Sequence, residues 1–202
     1  MNKPEKITTP VRFSHLTSYA GVGGFVQTAE DLSVVMPDIR SWVGTTQIDY
    51  VVRVCCALGI SGKELHMPPI FTNFHKLTLD AYLFPTFAIC NKCNTLHPNP
   101  WKNRKKDYDD KKIECKAEKY IDKESNKIVQ ASNEEDRCNG YLSQVTWCVA
   151  SRKGFLADVS WHDQAHRSKD ATPEQRNCKP DFENSYLSLH DNKIICLRCK
   201  AS

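Results

Sequence analysis

The sequence contains no apolar run long enough to cross a membrane. A spanning helix needs about 20 consecutive apolar residues, whereas only 40% of this 202-residue chain is apolar and no such run occurs. The first ten residues are polar, and Lys3, Pro4 and Lys6 stand where a secretory signal would have its apolar core. We therefore expect a cytoplasmic protein without membrane contact.

Several motifs of enzyme active sites are also missing. Residues 21–24 hold three glycines, but no Lys-Ser or Lys-Thr follows, which excludes a Walker phosphate loop and favours a tight turn. No His-x-Glu precedes a Pro-Cys-x-x-Cys, as a base deaminase would require. His162 and His166 have the spacing of helical metal ligands, but Asp163 follows where zinc hydrolases have glutamate. We expect a non-catalytic protein; a zinc-dependent nuclease using these three residues is the weaker alternative.

Cysteine, in contrast, is abundant, with ten in the chain. Two pairs have the Cys-x-x-Cys spacing, Cys90 with Cys93 and Cys196 with Cys199, so that both thiolates of a pair can bind one metal ion across a tight turn. In the reducing cytosol such pairs favour metal binding over disulfides. Four isolated cysteines lie between the pairs: Cys115, Cys138, Cys148 and Cys178.

Chain order predicts how these eight cysteines divide between two sites. The first site would use Cys90, Cys93, Cys115 and Cys138, and the second would use Cys148, Cys178, Cys196 and Cys199. Four thiolates complete the tetrahedral shell of Zn²⁺ and leave no open position for water, so both zinc sites are predicted to be structural. A histidine could replace a cysteine in either site, and the candidates are His97, His162, His166 and His190.

The pattern of apolar residues predicts an α+β fold, a small mixed domain with short strands and one main helix, stabilised by the two four-cysteine zinc sites. Residues 25–28 and 32–36 are typical of short strands, and residues 186–196 of a closing hairpin. Residues 42–60 form the predicted main helix, with Gly59 at its end. Cys55 and Cys56 lie inside this helix and are predicted to be core residues.

The composition divides the chain into three regions. Residues 1–85 are the N-terminal α+β region, residues 86–147 the first zinc-knuckle region and residues 148–202 the second zinc-binding region. Within the first knuckle region, residues 101–137 are a mixed-charge insert with few large apolar residues. Such a segment is typical of a solvated excursion.

Several stretches, taken in order, match the pattern of one known family. The N-terminal part of the pattern comprises residues 11–26, residues 32–36, Trp42 and the Pro-Pro of residues 65–70. Residues 84–93 match a Phe-Pro element that leads into Cys-x-x-Cys. The C-terminal part of the pattern is Trp147, Cys148, Gly154, Asp158, Trp161 and His166. In this order the stretches resemble DrmB-like proteins.

The sequence differs from the family pattern at two points, and the resemblance covers only part of the family's length. Phe155 stands where the family has a histidine, and the spacing from Cys148 to Gly154 is longer. The resemblance covers residues 11–199 and matches the first part of DrmB-like proteins, which continue into a long C-terminal region.

The resemblance implies a bacterial anti-phage defence component of the DISARM type. Such a protein is a non-motor partner that helps a superfamily 2 helicase engage DNA, so the expected partners are that helicase or other defence-complex subunits, with DNA and possible RNA contact. An alternative is a small zinc-domain subunit of an RNA-guided, CRISPR-type effector that contacts target DNA.

A nucleic-acid partner would use basic residues near the metal sites. The net charge of +4 is only mildly basic, so phosphate contacts must come from local cations. Trp101 and Trp161 could stack on bases, although Trp161 also suits a core. The candidate phosphate-binding residues are Lys92, Arg152, Lys153, Arg167, Arg198 and Lys200.

Overall fold

A computed structural model gives the architecture of the chain, which forms two compact units, Met1–Phe84 and Pro85–Ser202. The predicted polar lead up to residue 7 and the middle of the charged insert, residues 104–111, lie outside the described residues. Within the described ranges, no helix is both long and apolar enough to cross a membrane. The structure describes residues 8–18, 20–28, 31–60, 62–73, 76–103, 112–168 and 170–202.

The first unit is built around an antiparallel sheet. Its elements are β1 (Thr8–Arg12), α1 (Phe13–Ser18), β2 (Phe25–Gln27), β3 (Ser33–Val35), β4 (Thr46–Gln47), α2 (Val51–Leu58), β5 (His66–Met67), β6 (Phe71–Asn73) and β7 (Lys76–Leu83). Within the described residues the strand order is β1-β7-β3-β2, with β6 also paired with β7. Leu79, Ala81 and Leu83 of β7 are buried while Asp80 is exposed, as expected for a strand with one face on the core.

The helix α2 is shorter than the predicted helix over residues 42–60. Gly44 and Tyr50 have left-handed backbones, with φ of 79° and 56°, and a right-handed helix cannot pass through such residues. Gly59 ends the helix as predicted, because its left-handed backbone directs its N–H to the carbonyls of Cys55 and Cys56.

The two adjacent cysteines of α2 have different environments. Cys55 is buried, as predicted, and its Sγ lies 3.3 Å from the Lys63 carbonyl. Cys56 is exposed, so the prediction that it is a core residue is wrong. Consecutive positions on a helix point in different directions, and only one of the two can face the core.

The second unit contains the remaining elements. They are β8 (Phe87–Cys90), β9 (Thr95–Pro98), β10 (Lys119–Ile121), β11 (Ile128–Gln130), β12 (Leu142–Gln144), β13 (Cys148–Ala150), β14 (Leu156–Asp158), α3 (Trp161–His166), α4 (Pro173–Arg176), β15 (Leu187–His190) and β16 (Lys193–Cys196). Among the described residues, one antiparallel sheet has the order β12-β8-β9-β15-β16, and β10-β11 and β13-β14 form separate hairpins. Residues 86–147 and 148–202, predicted as separate regions, therefore share one sheet, because β15 pairs with β9.

The charged insert is more ordered than its composition predicts. Its described C-terminal part, residues 112–137, contains the β10-β11 hairpin, and Ile121 of β10 and Ala117 before it are buried. Backbone hydrogen bonds continue beyond the hairpin, from the Cys115 N–H to the Gly140 carbonyl at 2.7 Å. This part of the insert is therefore an excursion whose side chains are mostly solvated, as predicted, but whose backbone is hydrogen-bonded into a hairpin.

The core of the second unit contains both tryptophans that were predicted to be available for base stacking. Trp161 packs with Ala165, Leu187 and Cys196, and only 5% of its surface is exposed. Trp101 is equally buried. Neither ring is accessible to a base, so the stacking prediction is wrong for both.

The overall architecture, mostly short strands with few helices, confirms the predicted mixed fold class.

Shortening Leu79 tests the core of the first unit. Leu79→Ala should lower the free energy of unfolding of this unit by about 2–5 kcal/mol, because it leaves a cavity beneath the central strand. Val43→Ala, at an 84% exposed position, should change it by less than about 0.5 kcal/mol. Denaturant titration with hydrogen exchange localised to β7 measures both, and equal effects of the two variants would contradict this packing.

Candidate metal centres

The first centre is a group of four buried cysteines. Cys90, Cys93, Cys115 and Cys138 place their sulfur atoms within 4.8 Å of one another. Cys90 and Cys93 come from the turn between β8 and β9, which is the first Cys-x-x-Cys. These are the four residues that chain order assigned to the first site.

Backbone pairing brings the two distant cysteines of this centre together. Cys115 and Cys138 lie on segments that run antiparallel on either side of the β10-β11 hairpin. The Cys115 N–H donates to the Gly140 carbonyl, and the Cys138 N–H donates to the Ala117 carbonyl at 3.4 Å. The segment between the two cysteines is therefore closed at its base by backbone hydrogen bonds, and both thiols lie beside the first Cys-x-x-Cys turn.

The second centre contains three cysteines and one histidine. His166, Cys178, Cys196 and Cys199 place one ligand atom each within 4.8 Å of the others. Cys196 is buried, and the other three are partly exposed. Among the described residues, these two groups are the ones with the donors and the geometry of a metal site.

His166 occupies the position that chain order assigned to Cys148, so this part of the prediction is corrected. Cys148 begins β13 and pairs with Asp158, outside both groups. Trp161 and Ala165 lie one turn apart on α3 and pack with Cys196, which brings the end of α3 beside the second Cys-x-x-Cys. The sequence had already identified His166 as one of the histidines that could replace a cysteine.

The two Cys-x-x-Cys turns have the same backbone conformation. In each, the residue after the second cysteine is left-handed, Asn94 with φ of 54° and Lys200 with φ of 59°. Its N–H donates to the carbonyl of the first cysteine, Cys90 at 3.0 Å and Cys196 at 2.8 Å. Each turn also follows directly from the last residue of a strand of the same sheet.

The distances between ligand atoms fit one tetrahedral metal ion in each group. Metal–sulfur bonds of about 2.3 Å place tetrahedral sulfur ligands about 3.8 Å apart. Cys90 and Cys138 are separated by 3.7 Å, and Cys93 and Cys115 by 3.8 Å. In the second group, the sulfur atoms of Cys178 and Cys196 are 3.9 Å apart, and His166 Nε2 lies 3.2 Å from Cys199 Sγ. All ten cysteines are free thiols.

Without a cation, the first centre concentrates its negative charge on one sulfur. Hydrogen bonds from the thiols of Cys115 and Cys93, helped by the N–H groups of Cys93 and Lys92, lower the pKa of Cys90 despite its burial. The pKa of Cys115 is raised, because its proton is shared with Cys90 and then with Cys93, and because it is buried. A bound dication would stabilise all four thiolates, so that the thiols would no longer compete for a single negative charge.

A buried histidine supports the first centre from outside. His97 Nε2 lies 3.2 Å from Cys115 Sγ, and His97 Nδ1 lies 2.7 Å from the Ser185 hydroxyl oxygen. Burial lowers the pKa of His97 to about 4, so the ring is neutral at pH 7, with one nitrogen a donor and the other an acceptor. Hydrogen bonds of this kind orient metal ligands and spread their charge. His97, predicted as a possible ligand, is instead a neighbour of one.

The second centre has a comparable outer layer. His166 Nδ1 lies 2.7 Å from the His162 carbonyl, which leaves His166 Nε2 to face the sulfur atoms. Arg198 lies over the Tyr186 ring at 3.9 Å, and its Nη2 reaches Cys178 Sγ at 3.7 Å and the Lys179 carbonyl. Although burial opposes its charge, the Cys178 thiolate raises the pKa of Arg198.

The residues of the alternative nuclease site do not converge on a metal position. His162 Nε2 lies 2.9 Å from the Cys178 carbonyl, and its Nδ1 lies 2.8 Å from the Tyr186 hydroxyl. Asp163 accepts a hydrogen bond from Ser160 at 2.7 Å. Only His166 of the three belongs to a metal group. His190, the last candidate replacement ligand, lies outside both groups, beside Asp191 at 3.8 Å.

The six predicted phosphate-binding residues are not equivalent. Arg198 supports the second centre, Arg167 faces Asp163 at 3.8 Å, and Lys92 donates to Asn139 at 2.9 Å. Arg152, Lys153 and Lys200 are exposed, and none of these three has an ion-pair partner among the described residues.

Gly140 is required for the close approach of the chain to the first centre. A Cβ atom at this position would lie 2.6 Å from Cys90 Sγ and 2.6 Å from Lys92 Cβ. No real Cβ contact is that short, so any side chain here would displace the Cys-x-x-Cys turn.

Removing His166 tests the composition of the second centre. His166→Ala should reduce the metal retained against a competing chelator from about two equivalents per chain to about one, because the variant has only three of the four ligands. Cys148→Ser should retain both equivalents. Elemental analysis after dialysis measures the ratio, and the opposite behaviour of the two variants would restore the chain-order assignment.

Substituting Gly140 tests the packing around the first centre. Gly140→Ala should release about one metal equivalent to the same chelator, since its Cβ would overlap Cys90 Sγ. Gly154→Ala is the matched control, because no heavy atom lies within 4 Å of the added Cβ although the residue has φ of 80°. This control should cost about 1 kcal/mol of stability and keep both metal ions. Equal metal retention by the two variants would contradict the close approach.

A comparison with protein-family models places the chain in one family. The model of a domain of unknown function, DUF8724, matches residues 12–202, which includes both metal centres and nearly all of the first unit. A search of curated proteins found no match to the chain. The match covers well over half of the sequence, and the chain therefore belongs to the DUF8724 family.

Proposed function

We propose that the protein is a non-catalytic, zinc-binding subunit of a bacterial anti-phage defence complex, in which it helps a partner superfamily 2 helicase engage DNA. The observation that carries the proposal is the pair of complete four-ligand centres, which hold the second unit together while leaving basic side chains exposed. The defence role and the helicase rest on the resemblance of residues 11–199 to DrmB-like proteins.

The identity of the metal as zinc is supported by the donor sets. Four thiolates in one centre, and three thiolates with one imidazole in the other, are typical ligand sets of structural Zn²⁺. The sulfur pairs at 3.7–3.9 Å suit the same ion. Thiols that remain free suit a reducing compartment such as the cytoplasm.

A non-catalytic role is supported by the coordination number. Each centre offers four protein ligands, so the tetrahedral shell is complete and no position remains for an activated water. His162, the other histidine of the alternative nuclease site, makes hydrogen bonds through both ring nitrogens. A general base would need one nitrogen available to the reacting water.

Contact with DNA is supported by the exposed cations. Arg152, Lys153 and Lys200 all belong to the metal-bearing unit. A cation without an acidic neighbour can replace the counterions of a phosphate backbone, which makes such binding sensitive to salt. The small net charge of +4 fits an adaptor that adds a few contacts beside a stronger DNA-binding partner.

Affinity purification from the native host tests this function. The tagged full chain should retain a superfamily 2 helicase. The nucleic acid recovered with the complex should be digested by a DNA-specific nuclease. His166→Ala and Gly140→Ala should each reduce helicase retention if the zinc centres organise the docking unit, while Cys148→Ser should not. Co-purification of a guide RNA in stoichiometric amount would instead support a small subunit of an RNA-guided effector.

Iron in place of zinc in the purified chain would contradict the structural-zinc assignment.

A further inference from the structure

The β13-β14 hairpin exposes an unusual amount of apolar surface. Trp147 is 59% exposed, Val149 is 51% exposed and Phe155 is 71% exposed. Among the described residues the two strands pair only with each other. No element of the second unit that the structure describes extends their pairing, and the three side chains remain exposed to solvent.

Strand geometry places these three side chains on one face. Val149 pairs with Ala157, and Ser151 continues the ladder by donating its N–H to the Phe155 carbonyl at 2.8 Å. Because alternate residues of a strand share a face, Trp147, Val149 and Phe155 line the same side of the hairpin. The result is a stripe with an aromatic ring at each end.

The hairpin is also positively charged. The hairpin, residues 148–158, contains two cations, Arg152 and Lys153, and one carboxylate, Asp158, which accepts hydrogen bonds from Thr86. Both cations lie in the exposed turn that joins the strands, next to Phe155. A surface that combines aromatic rings with unpaired cations is complementary to bases and phosphates together.

The base of the β13-β14 hairpin is fixed to the rest of the second unit by hydrogen bonds and ring packing. Asp158 accepts hydrogen bonds from both the N–H and the hydroxyl of Thr86, each at 2.8 Å. The Trp147 ring packs against the buried Trp161, with ring centroids 5.9 Å apart. In the turn, the Ser151 hydroxyl accepts the Phe155 N–H at 3.1 Å. The aromatic stripe is therefore presented in a defined orientation.

We propose that this hairpin holds single-stranded DNA, with Trp147 and Phe155 stacking on bases and Arg152 and Lys153 contacting phosphates. The inference deepens the proposed function, on whose DNA contact it rests. Stacking needs the faces of unpaired bases, which a duplex hides, so the hairpin favours the strand that a helicase has separated. Val149 adds apolar contact between the two rings.

Fluorescence anisotropy of a labelled oligothymidylate tests the stripe on the zinc-loaded full chain. Phe155→Ala and Trp147→Ala should each weaken binding about fivefold or more, as expected when one stacked base has no ring beneath it. Trp147→Phe should restore most of the affinity because it keeps an aromatic ring, and Phe155→Ala, at a ring that is 71% exposed, separates stacking from a general effect on the fold. Phe182→Ala is the matched control, because Phe182 is 77% exposed in the same unit but outside the hairpin.

Salt dependence tests the two cations separately. Replacing Arg152 and Lys153 by Gln should reduce the slope of log K against log salt by about 0.7 for each phosphate that the variant no longer neutralises. Lys193→Gln, at an exposed position on β16, should leave the slope unchanged. A duplex of the same length should bind more weakly than the single strand.

The outcomes separate this inference from the proposed function. If the chain binds DNA but the hairpin variants bind as tightly as the unaltered protein, the hairpin is not the contact surface and the proposed function survives. If neither single-stranded nor duplex DNA binds, DNA contact itself is overturned. Tighter binding of oligouridylate, abolished in the same variants, would assign the surface to RNA. Failure of the variants to retain a protein partner, with DNA binding intact, would assign it to that protein.

Discussion

Four sulfur atoms that all lie within 4.8 Å of one another cannot all carry negative charge unless a cation lies among them. The organisation of the second unit depends on this constraint. Cys115 and Cys138 close the excursion of the charged insert, and Gly140 lets the backbone pass against Cys90. An insert with few large apolar residues has little hydrophobic surface of its own to bury. A metal ion held by the four cysteines would supply the fixed point that its composition lacks.

The Cys-x-x-Cys turns of both centres adjoin strands of one sheet. Cys90 ends β8 and Cys196 ends β16, so each Cys-x-x-Cys turn begins from a strand whose direction the other strands define. The outer layers differ in chemistry. The first centre is supported by the neutral, buried His97, whereas the second is supported by the cation Arg198. The more exposed centre is thus the one whose thiolate charge is balanced by a nearby cation.

The apolar residues of the second unit serve two different purposes. Trp161 lies in the core and positions α3, so that His166 reaches the second centre. Trp147 packs one face on Trp161 and leaves much of its ring in solvent. This contact joins the metal-bearing scaffold to the exposed hairpin. The second unit thus combines two four-ligand groups with one exposed, basic and aromatic hairpin.

The sequence by itself determined the local features of this protein. The spacing of Cys90 and Cys93, and of Cys196 and Cys199, identified both turns, because a three-residue separation lets both thiolates of a pair face one metal ion. Period-two alternation identified short strands and the mixed fold class. The resemblance to DrmB-like proteins and the defence role that it implies stay predictions.

Only the tertiary structure decided which distant residues complete each centre. Chain order assigned Cys148 to the second centre and left His166 as one of four possible replacements, whereas the packing of Trp161 and Ala165 brings His166 to the centre. Likewise, only the structure shows that Arg198 contacts Cys178 of the second centre and that the charged insert contains the β10-β11 hairpin. These outcomes depend on contacts between residues far apart in the chain, and no local pattern specifies such contacts.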